Sequence, residues 1–221
     1  MILSPGRNYV FVHAPKTGGT ALALALEGRA MKDDIMLGDT PKARKRRRRV
    51  QGVKTRGRLW KHATLADIDG LVPTLDGLFA FTLVRNPWDR MVSYYHWLRD
   101  QDFDHPAVAL AQQMNFQDFA QAPHVRASMQ ASPARHYMTD ARGVERCDAY
   151  IRLEAFAQDA APLWDHLGFE LALPRANASD RDADYRSYYT DAARAAVAED
   201  CAEDIERFGY TFDEGANSTL G

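Results

Sequence analysis

The stretch His13-Ala14-Pro15-Lys16-Thr17-Gly18-Gly19-Thr20 decides the fold of this chain. Ahead of it, Asn8 to His13 (NYVFVH) is a short run of β-branched and aromatic residues, the pattern of a buried strand. Behind it, Thr20 to Arg29 (TALALALEGR) is rich in Ala and Leu and apolar on nearly every side, the pattern of a covered helix. Strand, glycine turn, helix is the opening of a nucleotide-binding α/β unit. Gly18 and Gly19 carry no Cβ, so backbone can come close to a ligand. The first N–H groups of the following helix lack intrahelical partners, and the helix dipole is positive there. Lys16 adds a point charge, and Thr17 and Thr20 add hydroxyls. Together these groups make a cradle for one phosphate. A tight strand–helix turn with a surface lysine is the plainer alternative. The order differs from a Walker A loop, in which Lys follows the glycines and reaches β and γ phosphates.

The second informative stretch is Leu83-Val-Arg-Asn-Pro-Trp-Asp-Arg-Met-Val-Ser-Tyr-Tyr95. Phe79 to Val84 (FAFTLV) is an unbroken apolar run suited to a central parallel strand. Arg85 stands at its C-terminal end, and a helix begins with Pro87 in its first turn. Ser93 lies two turns into that helix. In an open parallel sheet the C-terminal strand ends face one crevice, so Arg85 and the 13–20 loop are expected to share it. An arginine fork and a hydroxyl suit a second phosphate. An Arg85–Asp89 pair at the helix start is the alternative.

Elsewhere, residues 103–140 read as irregular helix and Ala149 to Leu153 as a third strand. Residues 159–167 read as a helix stopped by Gly168. A last helix starts at Thr190, with Val197, Cys201, Ile205 and Phe208 as one apolar stripe. One α/β domain over residues 1–221, with a largely parallel sheet, is the economical reading.

Composition sets outer limits. The chain has 221 residues, 46% hydrophobic and 26% charged, which excludes dominant disorder, collagen-like and coiled-coil classes. No apolar run approaches the ~20 residues that span a bilayer. No basic and apolar leader opens the sequence, so a cytoplasmic location is expected. Cys147 and Cys201 have neither metal-ligand nor redox spacing. The net charge of −2 conceals an asymmetry. Eleven Lys and Arg lie between Pro41 and Lys61 without one Asp or Glu. The rest of the chain holds 17 basic and 30 acidic residues, a net charge of −13. The basic stretch 42–58 lacks apolar periodicity and is expected as an exposed, mobile loop that attracts anions.

Taken jointly, HAPKTGGTAL and LVRNPWDRMVSYYH resemble the two nucleotide motifs of sulfotransferases that use 3′-phosphoadenosine 5′-phosphosulfate (PAPS). The likeness is to the carbohydrate branch, with its heparan sulfate 2-O- and chondroitin sulfotransferases and soluble bacterial members. Lys61-His62-Ala-Thr-Leu resembles the segment with that family's catalytic histidine. Tyr150-Ile-Arg-Leu-Glu-Ala-Phe, the 173–179 stretch, Tyr185-Arg-Ser-Tyr-Tyr and Asp204-Ile-Glu-Arg-Phe-Gly-Tyr resemble its later segments. The resemblance implies a P-loop-NTPase-like, three-layer α/β fold with a central parallel sheet flanked by helices. It implies PAPS as sulfuryl donor, 3′-phosphoadenosine 5′-phosphate (PAP) as product, no metal, and a hydroxylated acceptor such as a glycan.

By the same resemblance Lys16 binds the 5′-phosphate and stabilises the leaving group. Thr17, Gly18, Gly19 and Thr20 cradle the 5′-phosphosulfate, and Arg85 and Ser93 hold the 3′-phosphate. His62 is the general base for in-line attack on sulfur, its ordinary pKa lying near working pH. Arg181 and Arg186 fall in a region that touches the nucleotide in relatives. His13 is expected to be structural and His96 packed.

Two other classes compete. A P-loop kinase of a small substrate shares the fold but calls for Mg²⁺, a GK[ST] loop and a Walker-B Asp, whereas FAFTLVRN ends in Arg. A polyanion-binding protein would act through residues 42–49. Nucleic acid suits it poorly, because the basic residues sit in one stretch of an acidic body.

Overall fold

The computed structural model describes residues 1–174 and 181–213. In chain order the elements are β1 (Ile2–Ser4), β2 (Tyr9–Val12), α1 (Gly19–Gly28), β3 (Ile35–Met36), α2 (Pro41–Arg46), β4 (Phe79–Val84), α3 (Pro87–Arg99), α4 (Pro106–Gln113), α5 (Phe116–Gln121), α6 (Pro123–Gln130), α7 (Ala134–Met138), β5 (Ala149–Arg152), α8 (Phe156–Asp159), α9 (Ala161–Leu167), α10 (Asp191–Asp200) and α11 (Ala202–Phe208). They fall into two compact units. Among the described residues, one comprises 1–84 and 134–174, the other 85–133 and 181–213.

The first unit holds the sheet, ordered β3-β1-β2-β4-β5. β2, β4 and β5 run parallel, with Val12 opposite Thr82 and Val84 opposite Arg152. β1 is antiparallel to both β2 and β3. The alternation of side chains divides the core. Tyr9, Phe11, Phe81 and Leu83 point to one face and pack with Leu22 and Leu26 of α1 and Leu163 of α9. Val10, Val12 and Ala80 point to the other and pack with Leu65, Ile68, Tyr137 and Met138. The sheet is therefore a parallel core flanked by helices, as expected from the apolar runs. β1 and β3 were not expected: at three and two residues they are too short to show a period.

The second unit is helical. Its core is aromatic: Tyr95 meets Phe116 and Phe119 edge-on or tilted, with centroids 5.5 and 5.1 Å apart. Tyr189 donates from its hydroxyl to the Trp88 carbonyl. Arg126 grips buried Asp200 through Nε and Nη2 at 2.8–3.1 Å. Thr190 caps α10 by accepting from the Ala193 N–H.

Two expectations need correction. The expected single last helix breaks at Cys201, whose φ of −113° leaves the helical range, so the apolar stripe runs across α10 and α11. The basic stretch is not an irregular loop at its start. Thr40 caps the Ala43 N–H, Pro41 takes the first helical position and Ala43 is buried, so residues 41–46 form α2 and residues 47–50 a 3₁₀ turn. Lys42 Nζ donates to the Glu27 carbonyl, and Thr40 Oγ1 to the Glu27 carboxylate. Arg46 and Arg49 donate to the Asp34 carbonyl at 3.2 and 3.0 Å. The Lys42, Arg46 and Arg49 side chains are held by backbone carbonyls and not by carboxylates, which is why a charge count missed them.

Candidate functional site

In the sheet unit, β2 ends at Val12 and the 13–20 loop carries the chain into α1. Lys16 and Gly18 both adopt left-handed backbone, with φ of 64° and 83°. For Lys16 this is unfavourable by about 1–2 kcal/mol, the kind of strain found at ligand-binding turns. Gly18 has a second constraint: a Cβ there would lie 2.9 Å from Leu153 Cδ1. At Gly19 a Cβ would lie 2.2 Å from Cδ2 of His13. The His13 ring thus lies against the first turn of α1 and excludes any side chain there. Thr17 is buried and its hydroxyl donates to the Ala14 carbonyl at 2.9 Å. That hydroxyl proton shapes the loop instead of pointing to a ligand, which narrows the role expected for Thr17.

His62 joins this loop from another part of the chain. Its Nδ1 lies 2.7 Å from the His13 carbonyl oxygen. A carbonyl only accepts, so Nδ1 carries the proton and Nε2 is left with its lone pair. Burial pushes the His62 pKa down to about 4, with the Lys61 ammonium adding to the effect. His62 is therefore neutral at physiological pH, a weaker base than the ordinary imidazole expected from sequence. Burial likewise holds His13 well below the usual histidine range. Beside His62, Lys61 pairs with Asp39 at 2.8 Å, which lowers the Asp39 pKa. Downstream, Thr64 and Asp67 exchange N–H bonds at 2.8 and 3.1 Å and lock the segment. Trp60, two residues before His62, meets its ring at 5.1 Å with the planes 86° apart.

In the helical unit, Asn86 caps α3 by accepting from the Trp88 N–H, and Pro87 fixes the first turn. Arg85 pairs with Asp89 through Nε and Nη2, at 2.9 and 2.6 Å. The other carboxylate oxygen of Asp89 accepts from Arg181 Nη2 at 2.5 Å. One carboxylate thus holds two guanidinium groups and leaves a formal excess of one positive charge. Arg181 Nη1 and His96 Nε2 are buried with no partner among the described residues. Burial and then the Arg181 charge lower the His96 pKa. Asp89, buried Ser93 and His96 follow at spacings of four and three along α3, one helix face. Arg181 Nη1 is a donor left unfilled, and such a donor beside a surplus positive charge fits an anion. Arg186 is instead paired with Asp184 at 2.8 Å.

The expected residues thus fall into two groups, one in each unit: Lys16, Thr17, Gly18, Gly19, Thr20 and His62 in the first, Arg85 and Ser93 in the second. Sequence reading missed the steric role of His13, the double grip of Asp89 and the position of Trp60. The Arg85–Asp89 spacing was visible; the contribution of Arg181, 92 residues further on, was not. A cleft of about 530 Å³, lined by Asn8, Phe79, Ala80 and Asp148, lies at the N-terminal ends of the parallel strands. Among the described residues no three His, Cys, Asp or Glu side chains cluster as a metal site. No helix there is long and apolar enough to cross a membrane.

No protein-family model matches the sequence, and none of the curated proteins does. A solved structure does: mouse sulfotransferase SULT7A1 complexed with PAP, at a TM-score of 0.52 over 98% of this chain and 91% of that one. The fold is similar to that of this sulfotransferase. At 15% identity the likeness carries the P-loop-like arrangement of a parallel sheet and flanking helices, and no residue roles.

Proposed function

We propose that this protein transfers the sulfuryl group of PAPS to a hydroxyl of an acceptor, with His62 as the base. The observation that carries this reading is the bond between His62 Nδ1 and the His13 carbonyl, which ties a neutral imidazole to the first residue of a phosphate-type loop. The likeness of fold to a sulfotransferase supports it, as does the SULT7A1 complex with PAP.

The roles follow from the donor groups. PAPS, when bound, supplies a sulfuryl group activated by its 5′-phosphate. The N–H groups from Thr17 to Thr20 and the Lys16 ammonium hold that phosphate and take up the charge that develops on it. His62 Nε2 accepts the proton of the acceptor hydroxyl as its oxygen bonds to sulfur and the bond from sulfur to the 5′-phosphate breaks. Arg85, Ser93 and Arg181 hold the 3′-phosphate. An anionic glycan is the acceptor class favoured by Arg44, Lys45, Arg47 and Arg48, which are exposed on and after α2.

Release of PAP from PAPS, measured with and without a panel of hydroxylated acceptors and with ATP–Mg²⁺ as the competing donor, tests the reading. Acceptor-dependent PAP release, lost in His62→Gln, is expected. Phosphoryl transfer from ATP–Mg²⁺, or no PAPS turnover with any acceptor, overturns it in favour of a kinase or a binding protein.

A further inference from the structure

Trp60 is 43% exposed, as is Phe103, whereas Trp88 is 5% exposed; of these two exposed aromatic residues, Trp60 is the one beside His62. An exposed indole offers a large, rigid, flat surface for contact with another ring. Its backbone is nevertheless fixed. The Trp60 carbonyl accepts from the Ala63 N–H at 3.2 Å, Ala63 and Leu65 are buried, and the Leu65 N–H donates to the Tyr137 carbonyl at 3.0 Å. The Arg58 guanidinium lies over the indole at 5.7 Å and restrains its orientation. The His62 imidazole stands perpendicular to it at 5.1 Å. A rigidly based, exposed aromatic ring thus adjoins the one imidazole that the phosphate loop orients.

We infer that Trp60 is the acceptor platform: a ring-shaped acceptor lies against its indole and so brings a hydroxyl to His62 Nε2. The acceptor class is a hydroxylated ring with a flat face, either the C–H face of a pyranose or the π face of a phenol. Both stack on indole, and a linear alcohol does not. The indole and imidazole centroids lie 5.1 Å apart, so a ring seated on the side of the indole facing His62 lies beside the imidazole. The inference rests on the sulfuryl-transfer reading for the chemistry, but not for the binding.

The test uses the full chain and saturation-transfer NMR, with PAP present, on three probes: methyl β-D-glucopyranoside, 2-naphthol and 1-hexanol. Wild type is expected to saturate at least one ring probe. Trp60→Ala lowers that signal roughly tenfold, the size of one aromatic stacking contact, while Trp60→Phe restores most of it. The 1-hexanol signal is unchanged by either substitution. A glucoside-only response assigns a saccharide acceptor and a naphthol-only response a phenolic one. No ring signal in wild type, or an undiminished one in Trp60→Ala, overturns the inference. PAP affinity, titrated separately, stays within twofold across the variants. A chain that binds rings through Trp60 yet binds no PAP refutes the sulfuryl-transfer reading and leaves the platform standing. Because the side chain is exposed, both variants fold, which circular dichroism checks.

Discussion

The 13–20 loop and the Asp89 cluster both offer positive potential to an anion, but they are built from different materials. The loop is made of backbone: two left-handed residues, a glycine that the His13 ring forces, and the start of a ten-residue helix. The cluster is made of side chains: two arginines gathered by one carboxylate, with a buried donor left over. A backbone cradle is fixed by sterics and tolerates little substitution. A side-chain cluster is fixed by charge and responds to charge removal, salt and pH. The difference predicts how each half breaks.

The largest effect is expected at the histidine anchored to the loop. His62→Gln lowers kcat by about 10²–10⁴, the usual contribution of a general base, with PAP affinity nearly unchanged. Equal loss of PAP affinity would move His62 from proton transfer to nucleotide binding. Next is the hub of the other half. Asp89→Asn leaves two guanidinium groups facing each other in a half-buried site and is expected to destabilise by about 3 kcal/mol in urea unfolding. No change would mean that the two pairs contribute nothing in water. Gly19→Ala follows, at about 1–3 kcal/mol, because its methyl group overlaps the His13 ring. His13→Ala made with it should recover part of that loss, and a double-mutant cycle reads the coupling. Additive effects would contradict the packing described for the loop.

The smallest effect is on pH dependence. His62 titrates at about 4 when folded and near 6.5 when unfolded. The unfolded chain therefore binds the proton first as pH falls. Stability is complete above about pH 6.5 and is lost progressively down to about pH 4, by about 1–2 kcal/mol at pH 5 for this residue. The urea midpoint at pH 7 and pH 5 measures it, and His62→Gln should flatten the dependence. A midpoint that rises on acidification would contradict a buried neutral imidazole.

Much of the backbone half was legible because local sequence dictates it. FAFTLV is β4 residue for residue, and HAPKTGGT lies between a strand and a helix as its glycines imply. The likeness of fold to a sulfotransferase agrees with the two motifs read together. The side-chain half was legible only in part. Arg85 and Asp89 are four residues apart on one helix, but Arg181 reaches them across 92 residues that no periodicity connects. Trp60 was passed over because it sits in a basic stretch without alternation, and only burial separates an exposed indole from a core one. The 42–49 run failed as a loop for a similar reason, since its partners are the carbonyls of Met31 and Asp34. Of the 173–179 stretch, residues 175–179 lie outside the described residues.

Calorimetric titration of PAP against 5′-AMP tests the central claim most directly, because the two ligands differ only in the 3′-phosphate assigned to the Asp89 cluster. Wild type is expected to bind PAP at least about tenfold more tightly than 5′-AMP, as charge-assisted bonds to a phosphate require. Arg85→Ala should erase that preference while leaving 5′-AMP affinity in place, and Lys16→Ala should weaken both ligands together. Equal affinity of wild type for PAP and 5′-AMP would contradict the account, since the arginine pair would then hold no part of the nucleotide.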